Sequence, residues 1–363
     1  MSGQVMGTAA QRLGLFKGEI LKHVVPQEVI GRCCRSMKKS IPKNNSATVK
    51  YRRWLPKGAT TTTPNTWNVD PAAHILSEGE TPIAESITPQ DITATLTQYG
   101  VLYRYSDVVA DLYEDNVPAE MVKLTGERMG LLMEMIRYGV LKAGTNVYRG
   151  GAVAARSSII ARLSANLFRN VARGMDNNLA SKMTAILPAS AGIGTQPIEA
   201  AFVVVCHPNM SADLRSVLTT GFIHISEYGS RKPIHENELG SFEQFRFVTS
   251  AHMAPYLSAG GTGGAAGTLL AAAGTGGVNA AGSEAADVYP MLVLSEEAYG
   301  DVMLRGMDSF QAFHRKPGGG DGSNSASDDP LGQRGHVGAK FYMTAVRLNE
   351  LHMAVVEVAC GAL

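Results

Sequence analysis

The sequence predicts an α+β protein, and three observations carry that prediction: one long helical segment with an apolar stripe, several short strand-like runs, and glycine- and proline-rich connectors between them. The 363 residues are 45% hydrophobic and 18% charged, enough to bury one large or two moderate cores and too apolar for a chain disordered throughout. No run approaches the roughly 18 uninterrupted apolar residues of a membrane-spanning helix. The first residues lack a charged-then-apolar stretch ending in a small-residue cleavage site, so the chain reads as soluble, neither exported nor anchored.

Residues 10–24 (AQRLGLFKGEILKHV) place Leu13, Phe16, Ile20 and Val24 at helical intervals, and Pro26 and Pro42 bracket the basic connector that follows. From Thr48 to Trp54 the chain alternates, with Val49 and Tyr51 on one face and Lys50 and Arg52 on the other, the period of a half-buried strand. A second strand alternates Ile92, Ala94 and Leu96 with Thr93, Thr95 and Thr97; beyond Gly100 the apolar set resumes as Val101, Tyr103 and Tyr105, a phase shift that predicts a bulge at the glycine. Residues 55–91, with Pro56, Pro64, Pro71, Pro82, Pro89 and the run Thr60 to Thr63, far exceed the usual loop limit of about 12–15 residues. Flanked by two strands, they predict a projecting hairpin, which needs something to lie upon.

Residues 119–143 predict the longest helix, about 37 Å at 1.5 Å per residue, striped by Val122, Met129, Leu132, Met133, Ile136 and Val140 and stopped at Gly144. Its methionines read as gap-filling core residues before they read as a promiscuous groove. A second helix is expected over residues 163–183, strands over 199–206, 245–250 and 288–294, and short helices over Ser211–Leu218, capped by Asn209 or Ser211, and Ser295–Tyr299. Residues 340–359 read as a hairpin turning at Asn349 and Glu350.

Charge is unevenly spread. Residues 1–53 carry eleven Lys and Arg against Glu19 and Glu28, a net +9, so the remaining 310 residues sum to −8 of the overall +1. Two readings fit: a solvated basic tail, or a cationic arm that contacts the anionic body of another copy or nucleic acid. Cys33, Cys34, Cys206 and Cys360 have neither zinc-ligand spacing nor a disulfide pattern and read as reduced cytoplasmic thiols.

Catalytic signatures fail one by one. The tract at 258–282 (SAGGTGGAAGTLLAAAGTGGVNAAG) lacks the Gly-Lys-Ser/Thr ending of a phosphate loop, and G-x-G-x-x-G between strand and helix is absent, so flexible surface loops are expected there. Asp321, Ser323 and Ser325, within the tract at 316–330, begin like a calcium loop, but Ala326 stands where glycine belongs and Gly332 where glutamate does. His207 follows Cys206, yet neighbours in extended chain face opposite ways. No constellation joins a nucleophile, a base and a stabiliser, so no enzyme, catalytic residue, cofactor or metal site is expected.

The ordered set SIPKNNSATVKYRRW, LSEGETP, ITATLTQYG, YSDVVADLYED, the long helix, VVVCHP and DPLGQRGHVGAKFYMTAVRLNELHMAVVEVA resembles the major capsid proteins of N-four-type tailed bacteriophages, members of the Hong Kong 97-like capsid fold. The likeness spans about residues 40–363. It implies an amino-terminal arm (1–45), an extended β-hairpin loop (46–105) lying over a neighbouring subunit, a peripheral domain (106–194) with a spine helix at 119–143, an axial domain (195–335) and return strands to the peripheral domain (336–363). It also implies self-assembly into pentamers and hexamers forming an icosahedral phage head around double-stranded DNA, in the virion after assembly in the bacterial host cytoplasm. Decoration, scaffolding and portal proteins are the further partners it implies, with no membrane.

Candidate interface residues are Lys50, Arg52, Arg53, Lys57, Glu78 and Glu80 on the hairpin, and Asp107, Asp111, Glu114 and Asp115, with the hairpin bases expected to meet the Asp107–Asp115 acids of a neighbour. Two rivals stand beside this reading: an encapsulin-like compartment of the same fold, told apart by its cargo, and a glycine-loop nucleotide-binding enzyme, told apart by saturable ligand binding at 258–282.

Overall fold

A computed structural model of the chain describes residues 28–33, 37–42, 44, 46–55, 57, 70–76, 78–79, 81, 84–112, 116–183, 200–218, 221–228, 233–263, 265, 267–279, 283–304, 310–317 and 331–362. The expectations for residues 10–24, Thr60–Thr63, Glu80, Glu114, Asp115 and most of 316–330 lie outside these residues.

Along the chain follow α1 (Ile30–Cys33), β1 (Lys39–Ile41), β2 (Thr48–Leu55), β3 (Thr88–Thr95), β4 (Thr97–Ser106), α2 (Asp107–Leu112), α3 (Val117–Leu141), β5 (Val147–Arg149), α4 (Ala165–Asn177), β6 (Phe202–Cys206), α5 (Ser211–Val217), β7 (Phe222–His224), β8 (Glu238–Phe242), β9 (Phe245–Thr249), β10 (Val288–Leu294), β11 (Tyr299–Leu304), β12 (Phe310–Arg315), β13 (Arg334–Arg347) and β14 (Met353–Ala359). They fall into two compact units, the first drawn from Met1–Ala47, Leu96–Leu141 and Asp301–Ala345, the second from Thr48–Thr95, Lys142–Gly300 and Val346–Leu363. The domain limits implied by the resemblance at 106–194, 195–335 and 336–363 cut across these units.

The first unit is a helix on a sheet. At the start of α3 the Ala119 N–H is shared between Asn116 O at 3.1 Å and Asn116 Oδ1 at 3.2 Å, so Asn116 caps the helix with both its backbone and its side chain. The 25-residue α3 then runs about 37 Å. Its most buried ladder is Met121, Thr125, Met129, Met133, Arg137 and Leu141, so the sequence stripe is rotated: Met129 and Met133 are at its centre, whereas Val122, Leu132, Ile136 and Val140 are only half-buried. Met129 and Met133 pack on Ala339, Phe341 and Met343 of β13, and Met121 on Tyr105 and Val337. β13 is flanked by β12 on one edge and β4 on the other, the latter over ten residue pairs from Arg334↔Ser106 to Met343↔Thr97.

The second unit is a seven-stranded sheet in the order β5-β14-β10-β6-β9-β8-β7. Its central strands β6, β10 and β14 are buried along their whole length, which is why they read as unbroken apolar runs in place of an alternating pattern. Ser164 Oγ caps α4 by accepting the Leu167 N–H at 3.3 Å. From α4, Phe168 enters the core edge-on to Phe247, with ring centroids 5.2 Å apart. The same unit includes a separate two-stranded sheet in which β2 pairs with β3, from Thr48↔Thr95 to Leu55↔Thr88.

Five expectations need correction. The hairpin ends at Thr95, not Tyr105, and the phase break falls at Leu96, whose N–H goes to Ala47 O at 2.8 Å; Gly100 sits inside the β4 ladder opposite Lys340. Residues 340–359 form no hairpin, because β13 and β14 belong to different sheets, and their common apolar density reflects two separate cores. Between them, Asn349 caps a single turn of 3-10 helix at Glu350–His352. Residues 295–299 turn directly into β11 without forming a helix. Neither Asn209 nor Ser211 caps α5: a 3-10 turn at Pro208–Met210 precedes it, and His207 Nδ1 accepts the Asn209 N–H there at 3.2 Å.

The described part of 258–282, expected as a flexible surface loop, packs some of its residues inward and leaves others exposed. Leu269, Ala271 and Asn279 are buried, and Asn279 Oδ1 accepts the Leu269 N–H at 2.9 Å. A Cβ at Gly274 would stand 1.8 Å from Val278 O, so glycine here allows close backbone approach.

Candidate assembly surface

The alternation read in β2 gives the hairpin two different faces. Tyr51 and Leu55 on β2 and Ala94 on β3 are buried within the single chain, at 7%, 2% and 3% exposure. Arg53 shares that face and lies near enough to His352 to add to the effect of burial, which together bring the imidazole pKa down to about 4. The expectation that the whole hairpin finds its packing surface on another chain is therefore corrected: one face is already covered.

The opposite face is open, with Thr48, Lys50, Arg52 and Trp54 exposed on β2 and Pro89, Asp91, Thr93 and Thr95 exposed on β3. Arg52 is held by Asp91, directly across the ladder, through Nε and Nη2 at 2.7 and 2.8 Å. That paired hydrogen bond keeps the Asp91 carboxyl below its ordinary range. The guanidinium also lies 5.8 Å from the Trp54 ring centroid. Arg52 thus has a partner on its own hairpin, which the sequence reading missed, because identifying Asp91 requires the register of a pair 39 residues apart.

The other candidate residues are scattered. Lys57 Nζ stands 3.5 Å from Glu85, an exposed pair, and Glu78 is exposed beyond it. Asp107 opens α2 by accepting the Val108 N–H at 2.8 Å, and Asp111 is exposed one turn on.

The first unit also contains a buried ionic cluster that the sequence reading did not find. Arg137, 1% exposed, reaches Asp301 Oδ2 at 2.9 Å through Nε, and Glu134 Oε1 at 3.0 Å and Glu28 Oε1 at 3.2 Å through Nη1. Glu134 in turn accepts the N–H groups of Ile30 and Gly31 at 2.9 and 3.0 Å. Burial raises the carboxyl pKa of both Glu134 and Asp301, against the pull of Arg137. A Cβ on Gly31 would lie 2.3 Å from the guanidinium, so α1 approaches this closely only with glycine. The cluster fastens the Glu28–Gly31 segment to α3 and β11. A charged i, i+3 pair inside the Met133–Tyr138 stretch was the available signal.

The Cys206 thiol is fully buried and pushed up to about 12 by desolvation, while the His207 ring is engaged as a cap. Among the described residues no group of three or more His, Cys, Asp or Glu is arranged to hold a metal ion, and no helix is long and apolar enough to cross a membrane.

No family model matches the chain, and no curated protein matches it. Solved structures do. The capsid of Ralstonia phage GP4 aligns over 90% of this chain and 87% of its own with a TM-score of 0.58 at 12% identity. The capsid of Cyanophage P-SCSP1u aligns over 99% and 92% (TM-score 0.54, 12% identity), and that of Cyanophage Pam1 over 100% and 99% (TM-score 0.53, 13% identity). At these identities the likeness speaks for the fold: the chain has the α+β Hong Kong 97-like capsid fold.

Proposed function

We propose that this chain is a major capsid protein that self-assembles, through pentamers and hexamers, into the icosahedral head of a tailed bacteriophage enclosing double-stranded DNA. The observation that carries the reading is the end-to-end fold match to capsid chains, 100% of this chain against 99% of the Cyanophage Pam1 subunit. In this reading the first unit is the peripheral domain with α3 as its spine, and the sheet of the second unit is the axial domain. The hairpin is the extended loop, whose open face seats against the next copy.

The physical basis is repetition of one heterologous contact. Each copy offers its hairpin to the next, the ring closes, and rings join into a shell. Obligate contacts of this kind bury about 2,000–5,000 Å². Lys50 and Lys57 face Asp107 and Asp111 of the neighbour in this scheme, setting register and partner choice more than affinity, while Arg53 lies on the covered face. A net charge of +1 suits a DNA container, because a strongly cationic wall would retain phosphates through counterion release.

Negative-stain microscopy with light scattering on the purified protein tests the proposal. Rings or closed shells are expected; a chain that stays a 38.5 kDa monomer through a screen of salt, pH and crowding agents overturns it.

A further inference from the structure

The sheet of the second unit carries a histidine at the ends of four adjacent strands. β6 and β9 run parallel, β8 antiparallel to β9 and β7 antiparallel to β8, so the last residues of β6, β9 and β7 and the first of β8 share one edge. His207 follows β6, His252 follows β9, His224 closes β7 and His235 precedes β8. Four of the nine histidines therefore stand along one edge, where one change of pH reaches them all.

Three of these rings make the same contact. Nδ1 of His207, His224 and His235 accepts the backbone N–H two residues on, from Asn209 at 3.2 Å, Ser226 at 3.3 Å and Asn237 at 3.0 Å. Each bond shapes a turn at its strand end: the 3-10 turns Pro208–Met210 and Ile225–Glu227, and the turn that leads into β8. Elsewhere the chain makes this contact with oxygen. Asp70 accepts the Ala72 N–H at 3.0 Å and Asn349 the Leu351 N–H at 3.2 Å, the ordinary use of a short carboxylate or amide. Imidazole Nδ1 is as many bonds from the backbone as the oxygen of Asn, but it stops accepting in mild acid, because the doubly protonated ring has donors only.

Each ring has its own charged and titratable neighbours. Arg215 Nη2 stands 2.9 Å from His224 Nε2, so a protonated ring there faces a guanidinium on one side and a backbone N–H on the other, with the Ser226 hydroxyl 2.8 Å from Nδ1 as the acceptor at hand. His207 lies against Tyr289 of β10, with ring centroids 5.5 Å apart, and its turn receives the Cys360 thiol at Asn209 O; Gly361, next in the chain, donates to Asp213, the partner of Arg162. Beside His235 in the chain are Glu236 and Glu238, the latter already accepting from Ile234 N–H and Tyr228 and paired with Arg246.

We infer that this edge of the second unit is a pH-sensitive device: at neutral pH three imidazoles hold the turns after β6 and β7 and before β8, and acidification withdraws all three acceptors, so that the turns loosen together. The inference rests on this unit's own geometry and is independent of the shell reading. His207 fixes the sign. Burial holds its imidazole below the ordinary histidine range, so the unfolded chain takes up the proton more readily. The stability this cap adds is complete above the unfolded value of about 6.5 and is lost as pH falls from there through the folded value.

Hydrogen exchange of the full chain tests the inference, read at the Met210, Tyr228 and Glu238 amides, which donate to His207 O, Ile225 O and His235 O within the three turns. Corrected for the intrinsic rate at each pH, exchange there is expected to accelerate about five- to tenfold between pH 7.5 and about pH 5, the loss of one cap per turn. The variant His207→Asn with His224→Asn and His235→Asn keeps an acceptor at each place that no proton removes in this interval, and its exchange is expected to change by less than about twofold. Acceleration that is absent from the unaltered chain, or that the variant shares, overturns the inference. If the variant does not fold, as judged by circular dichroism, the imidazole ¹⁵N spectrum of the unaltered chain decides. Nδ1 of His207 and His235 bare at pH 7.5, and protonated over the interval in which the amides accelerate, supports the inference; any other order overturns it.

Discussion

Replacing Arg137 with methionine probes the buried cluster most directly. The side chain is 1% exposed and engages Asp301, Glu134 and Glu28 at 2.9, 3.0 and 3.2 Å. At an effective dielectric of about 20, charges about 4 Å apart attract by about 4 kcal/mol, which is offset by several kcal/mol of desolvation per buried ion. Methionine keeps most of the volume but leaves Glu134 and Asp301, each 1% exposed, without their cation. Removing one partner of such a cluster costs about 3–5 kcal/mol. A loss of that size raises local opening by about two to three and a half decades, because each 1.4 kcal/mol is tenfold. The Ile30 and Gly31 amides, which donate to Glu134, report it: hydrogen exchange of the unassembled chain at pH 7 is expected to accelerate there by about 100-fold or more. Exchange within a factor of three of the unaltered chain would refute the claim that this cluster holds the segment in place.

Three further outcomes follow from the same geometry. Gly31→Ala places a Cβ 2.3 Å from a guanidinium that three carboxylates hold, so it is expected to lower the melting temperature and speed Ile30 exchange, whereas Gly139→Ala, with no atom within 4 Å of its Cβ, lowers neither. Burial raises the folded pKa of Asp301 above its ordinary 3.8, so the folded state binds the proton more readily and the stability linked to this group is greatest at acid pH and lost as pH rises through the folded pKa. The melting temperature of the unaltered chain relative to Asp301→Asn is accordingly expected to rise as pH falls from 7 toward about 4; a gap that stays constant or narrows contradicts this. Gly274→Ala meets Val278 O at 1.8 Å and is expected to destabilise the second unit and open 267–279 to proteolysis, an outcome a flexible tract would not give.

What the sequence revealed depended on the distance over which the physics acts. Period-two alternation in β2 is local, and it correctly separated Tyr51 from Arg52. The unbroken run of β10 is equally local, and its limits 288–294 are those of the strand. The spacing of apolar residues located α3, but not which side would be most buried, because that depends on Phe341 and Met343 more than 200 residues later. The failures share this cause. Arg52 with Asp91 needs a register, Arg137 with Asp301 needs a tertiary contact, and the separation of β13 from β14 needs to know that one apolar stretch serves two cores. Glycine spacing at 258–282 resembled a flexible linker, since a residue without a side chain looks the same whether it frees the backbone or admits another against it.

The central claim is that copies of this chain hold one another in closed shells through the β2–β3 hairpin. A cryo-electron microscopy reconstruction of particles assembled from the purified chain alone measures it. The account requires a closed shell in which the Lys50, Arg52 and Trp54 face of each hairpin is covered by the adjacent copy. Shells joined by other surfaces, with that face left bare to solvent, would contradict it.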